Sequence, residues 1–423
     1  MSVVGDILDS IALPRMVKVK QNFDASMLED ISAEVVHQLS RPAIADQIKP
    51  GMKIALAVGS RGINQIDVIV KAMLDFMKER GAAPFIVPAM GSHGGATGEG
   101  QKKLLGNYGI TEETMGVPIK SSMEVVPVGV NVDGFTVYID KNAYEADGIM
   151  IVNRFKPHPA FRGRYECGLM KMLTIGLGKQ YGAQVCHTQG FPKMARNVEM
   201  FGRCIIENTK LIAGLGIVEN AYDKTKELYG LTPQEIIDQE PKLLEKAKAS
   251  IPTVIPAKLD VLVVDEMGKN FGGDGMDANV TKKFLAPGME RDPEEPACII
   301  PLALSEETHG NAMGIGVASA TTRRLFDAID FYATYPNALT SALSASVQIP
   351  AVLDSDKHAI QAGIRFAFNA DKKNLRIVRI PNTLNIEYIE VSEALIPELK
   401  NRKDIEILSE PYEWTFDKNG NLF

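Results

Sequence analysis

The first strong pattern along the chain is the unbroken apolar run KIALAV at residues 53–58, which is too short for a core helix and reads as a strand buried on both faces. It stops at Gly59-Ser60-Arg61-Gly62. The spacing then changes: IDVIVKAMLDFMKERG, 66–81, places its apolar residues three and four apart and closes on a glycine, which predicts a helix. A second strand, PFIVPAM at 84–90, runs into Gly91-Ser92-His93-Gly94-Gly95. A third, GIMIVN at 148–153, stops just before Lys156-Pro157-His158. All three strands deliver a polar, mostly glycine-rich loop at their carboxyl ends, the edge of an open α/β sheet where ligands bind.

Further along, TPQEIIDQEPKLLEKAKAS, 232–250, reads as a helix with Thr232 as its cap and Pro233 in its first turn. The proline-punctuated segment 251–258 then precedes a new strand, LDVLVVDEM, and is the candidate linker. Beyond it come the strand CIIPLAL, the helical pattern TTRRLFDAIDFYATYPNALTSAL, the strand LRIVRI and a final hairpin, WTFDKNGNLF, turning at Asn419-Gly420. The economical reading is two α/β domains, 1–250 and 259–423, with a ligand cleft between them. The first would carry the chemistry and the second complete the cleft.

Composition narrows the classes. The chain is 45% hydrophobic and 23% charged, its net charge of -7 is dispersed, and no basic cluster is interleaved with aromatics, so nucleic acid is not an expected partner. No stretch approaches the roughly 18 apolar residues of a membrane span, and the N-terminal segment lacks a basic region leading into an apolar one. The expected location is the cytoplasm. Cys167, Cys186, Cys204 and Cys298 show no CxxC pairing and read as reduced, partly buried thiols.

Candidate chemistry concentrates where the strands end. His93 stands among glycines that let backbone approach a ligand, in a loop that opens a helix and so offers N–H groups to an anion. A surface-loop histidine would look the same. Arg61 at the neighbouring strand end has the geometry to grip a carboxylate through two parallel hydrogen bonds, although a solvated arginine is the plainer reading. His158 is flanked by prolines that hold its backbone, as a base requires, and it also reads as a turn residue. Lys171, between two methionines, is either a lysine tuned by apolar neighbours for attachment chemistry or one whose stem packs while its head reaches water. His187 offers an imidazole to a metal. Cys186 beside it would point the opposite way if the segment were extended, and so would not share the ion.

Taken together, "GSHGGATGEGQKKLLG", "NRFKPH", "GLMKM" and "GGDGMDANV" resemble the nickel-pincer-nucleotide-dependent lactate racemases and their relatives acting on other 2-hydroxy acids. The resemblance implies a racemase or epimerase working by reversible hydride transfer. Lys171 matches the lysine that carries the pyridinium-3,5-bisthiocarboxylic acid mononucleotide of nickel, and His187, sixteen positions on, matches the nickel ligand. His93 and His158 match the acid/base pair and Arg61 the substrate arginine, while Lys282 or Lys283 would supply a second positive charge to the substrate. Cofactor-synthesis enzymes are the implied partners. The departures are local: His158 and Lys171 stand thirteen apart, slightly more than in lactate racemases, and Thr281, Lys282, Lys283 and Phe284 occupy positions of the lactate pocket. A 2-hydroxy acid with a longer or more polar side chain therefore fits better than lactate. Two other readings remain open on the residues alone, a pyridoxal-phosphate enzyme with Lys171 as the Schiff base and a non-catalytic two-domain small-molecule binder.

Overall fold

Strand Lys53–Val58 lies second in a five-stranded sheet whose order is Ala83–Pro88, Lys53–Val58, Gly148–Arg154, Leu211–Glu219, Thr225–Leu231. The first four run parallel and the last antiparallel. In this computed structural model, which describes residues 3–59 and 62–423, both faces of the strand are covered. Ile54, Leu56 and Val58 enter one hydrophobic core and Ala55 and Ala57 another, which is why the run is apolar without alternation. Helix Ile66–Glu79 packs on the first core; Phe191–Asn208 and Pro233–Ser250 pack on the second. The Thr232 cap forms a full capping box with Glu235.

The chain divides into two compact units, Asp24–Ile251 and the N-terminal segment ending at Phe23 together with Pro252–Phe423. This corrects the expectation that 1–250 forms one domain. Strand Met16–Gln21 pairs antiparallel with Tyr388–Ser392 and with Ile405–Ile407, and its Val17 and Val19 are buried in the core of that second unit. An alternating MVKVK segment shows that one face is buried; it does not show which distant strands bury it.

The second unit's six-stranded sheet has the order Cys298–Leu304, Val261–Met267, Ile377–Ile380, Tyr388–Ser392, Met16–Gln21, Ile405–Ile407, and the first three strands are parallel. The helical pattern over 321–343 is two helices, Arg323–Asp327 and Phe331–Ser341. The break falls where Asp330 turns its carboxylate onto the Tyr332 and Ala333 amides at 2.8 and 3.1 Å. The expected terminal hairpin is only a turn. Gly420 has φ +81 and Asp417 accepts the Asn419 and Asn421 amides, but Trp414 and Phe416 pack against a core cluster without forming a ladder.

Candidate functional site

Within the unit Asp24–Ile251, two strand ends and the helical segment 169–187 carry the described candidate side chains. Strand Ala83–Pro88 delivers His93, which is exposed and precedes a 3-10 turn at Gly94–Ala96. Helix Gly98–Asn107 follows with Thr97 as its cap. Glycine is required twice here: Gly94 has φ +66, and a Cβ at Gly100 would fall 1.9 Å from the Gly94 carbonyl oxygen. The loop is thus wound directly onto the first turn of the helix. Gln101, fully buried, reaches back and donates its amide to the Gly91 and His93 carbonyls at 2.9 and 3.2 Å.

Strand Gly148–Arg154 leads to His158 through a loop closed on itself, because Lys156 and Cys167 exchange backbone hydrogen bonds of 3.0 and 3.1 Å. That closure brings the two ends of the segment 156–167 together. Inside the loop the buried Glu166 accepts the His158 amide at 2.7 Å and pairs with Lys248 at 3.0 Å and Arg162 at 3.3 Å. The His158 ring stacks on Phe161 with centroids 4.2 Å apart. Its Nδ1 accepts the Ala160 amide at 3.0 Å, so the neutral ring carries its proton on Nε2.

Lys171 ends a short helix, Leu169–Lys171, that continues as a π-turn over Met172–Gly176. Such turns recur at functional sites because they re-aim side chains. Met170 and Met172 are buried as their spacing suggests, while Lys171 is half-buried with Nζ 3.8 Å from the Cys167 sulfur. The helix start is capped from outside: Glu240 accepts the Met170 amide at 3.0 Å, and burial pushes its carboxyl up to about 8. Helix Lys179–His187 follows. His187 Nδ1 donates to the Ala183 carbonyl at 2.6 Å, leaving the Nε2 lone pair available. The ring keeps solvent exposure yet is crowded by protein, which lowers its pKa; the nearby Lys171 charge lowers it further. A neutral imidazole follows, and Lys171 and His187 share one electrostatic neighbourhood.

Cys186 and His187 lie on that helix rather than on an extended segment, so their side chains do not point to opposite sides as expected. Burial separates them instead. The Cys186 side chain lies in the core, where burial pushes its thiol up to about 12, while the His187 ring keeps solvent exposure.

One buried cation went unread in the sequence. Lys179 is fully buried at φ +54, donates to the Pro88 carbonyl and to Gln101 Oε1 at 2.9 Å, and lies 3.4 Å from Asp140 Oδ2. The Asp140 contact has the distance of an ion pair without hydrogen-bond geometry. Desolvation raises the Asp140 pKa and lowers that of Lys179. A charged residue inside the glycine-rich run GLGK was the one available signal. Gln101, Asp140, Glu166 and Glu240 offered none, since their partners are remote or backbone groups.

Arg61 lies outside the described residues. Lys282 and Lys283 belong to the other unit, just past helix Ala278–Thr281, and Lys282 adopts φ 58 there. Among the described residues no group of three or more His, Cys, Asp or Glu side chains is arranged to hold a metal ion, and no helix is long and apolar enough to cross a membrane.

Residues 10–196 match the family described as lactate racemase N-terminal domain. No curated protein matches the chain. Among solved structures, the lactate racemase apoprotein from Thermoanaerobacterium thermosaccharolyticum is similar at 14% identity and a TM-score of 0.47, covering 88% of this chain and 89% of its own. A protein from Thermotoga maritima is similar at 15% identity and a TM-score of 0.45, over 65% and 70%.

Proposed function

We propose, from the premise that this chain is lactate racemase-like over residues 10–196, that it is a cytoplasmic racemase or epimerase of a 2-hydroxy acid, dependent on a nickel pincer nucleotide. One observation carries the reading: His187 keeps a bare Nε2 lone pair beside the Lys171 charge. A lone imidazole suits a metal whose remaining ligands arrive with a cofactor. Lys171 would hold the nucleotide and His187 its nickel, and the residues present fit both tasks. Cofactor-synthesis enzymes would then be the chain's partners.

A carbon bearing hydroxyl and carboxylate is a very weak C–H acid, so inversion by deprotonation meets a high barrier. When bound, the cofactor supplies a hydride acceptor that avoids the carbanion. The protein's share is the hydroxyl proton and the orientation of the substrate. His93, on its wound glycine loop, would take that proton for one enantiomer. His158, in its resting tautomer, would offer Nε2–H to a substrate oxygen. Serving as the base for the other enantiomer requires its ring proton to move to Nδ1 and the Ala160 hydrogen bond to open. Each histidine would contribute roughly 10²- to 10⁴-fold, and Arg61 would hold the carboxylate.

The test is intact-mass and metal analysis of the full chain co-produced with the cofactor-making enzymes. We expect an adduct that peptide mapping places on Lys171, with nickel that is lost in His187→Ala while the fold persists. Racemase activity without adduct or nickel would overturn the reading.

A further inference from the structure

We infer that Lys179 is a positioning residue, which holds the His93 loop in register with the helix bearing His187. Its backbone is the first indication. A non-glycine residue at φ +54 is strained, and burying an ammonium is costly unless it is paired. Glycine would suit the backbone and methionine the burial, so the retained feature is the charged head and its partners.

Those partners come from three separate segments: Pro88 at the end of the strand before the His93 loop, Gln101 in the helix after it, and Asp140 at the end of strand Thr136–Asp140. Gln101 is used on both sides, since its oxygen accepts from Lys179 while its amide donates to Gly91 and His93. A continuous chain of contacts therefore runs from Lys179 to the main chain of His93. Asp140 is tied in as well: its second oxygen caps Ala143 at 2.9 Å and its own amide donates to Leu177 at 2.7 Å, just before the break at Lys179.

The surrounding glycines make the coupling tight. Gly91 donates to the Gly176 carbonyl at 3.2 Å, and a Cβ at Gly176 would come 2.8 Å from the Ala89 carbonyl oxygen. The His93 loop thus packs backbone to backbone against the segment joining Lys171 to His187. Lys179 stands midway between those two, eight residues from each, as the first residue of the His187 helix. Loss of its head would release the loop and the helix start together. The catalytic meaning of this device rests on the roles proposed above for His93 and His187; its geometry does not.

Hydrogen exchange on the full chain without cofactor tests the geometry, while adduct and nickel test the function, so the two failures are distinguishable. In Lys179→Met, amides of 91–97 and of 179–187 should exchange at least tenfold faster. In Gln101→Met only 91–97 should do so, and the double variant should add nothing at 91–97. A merely structural lysine would instead loosen the unit throughout. Unchanged exchange at 91–97 in folded Gln101→Met overturns the proposal, and that variant decides alone if Lys179→Met does not fold. In cofactor-loaded Gln101→Met, kcat on the best-used member of a 2-hydroxy acid panel should fall at least tenfold with KM within twofold.

Discussion

Glu166 accepts the main-chain N–H of His158 at 2.7 Å, so the loop histidine is held by a buried anion eight positions downstream. The same carboxylate meets Lys248 and Arg162, both partly exposed, so the buried amide it satisfies matters more to stability than the ion pairs do. Glu166→Leu should cost roughly 1–3 kcal/mol through that unsatisfied amide. Glu166→Gln, which keeps an acceptor, should cost less. Denaturant midpoints of the two variants check the order, and equal losses would assign the effect to charge.

His158 should show its neutral tautomer directly. With Nδ1 accepting from Ala160, nitrogen NMR of histidine-labelled protein should report a protonated Nε2 and an unprotonated Nδ1 above the ring's titration. The opposite pattern would mean that the Ala160 contact is not kept in solution.

His187 should show the reverse, with Nδ1 protonated toward Ala183. Its pKa, lowered by crowding and by Lys171, implies that the ring stays neutral below its ordinary titration range. Metal uptake should therefore survive mild acidification better than a histidine of ordinary pKa permits, and Lys171→Met should raise the His187 pKa by removing a nearby positive charge. An unmoved titration would separate the two residues.

Glu240 predicts a pH dependence of stability. Its carboxyl, at about 8 in the folded chain, stays protonated where the unfolded chain has already lost that proton, above about 4.3. Between these values the folded state binds more protons, so this group lowers stability by about 1.4 kcal/mol for each rising pH unit. Glu240→Gln should remove that slope. A wild-type-minus-variant difference that stays flat from pH 5 to 8 would show an ionised carboxylate in the fold.

Two glycines of one helix should respond oppositely. Gly106 has no atom within 4 Å of a built Cβ, so Gly106→Ala should stabilise by roughly 0.5–1 kcal/mol. Gly100→Ala would drive a methyl into the Gly94 carbonyl and should destabilise by at least about 1–3 kcal/mol while disordering the His93 loop. Thermal unfolding of the pair decides it.

By itself the sequence determined the buried strands at 53–58 and 148–153, most of the one expected at 84–90, which ends at Pro88, and the loops that follow them, because apolar runs and glycine stops are local signals. Lys171 and His187 were legible in it only as candidates, their roles implied by the family resemblance rather than by any local pattern. Tertiary structure decided the rest. Strand Met16–Gln21 joined a sheet whose other strands lie hundreds of residues away, and Lys179, Gln101, Glu166 and Glu240 turned out to hold the candidate residues in place. The reason is physical. A buried polar group is meaningful only through partners that satisfy it, and here those partners are backbone groups or side chains up to 91 positions away, which no local pattern encodes.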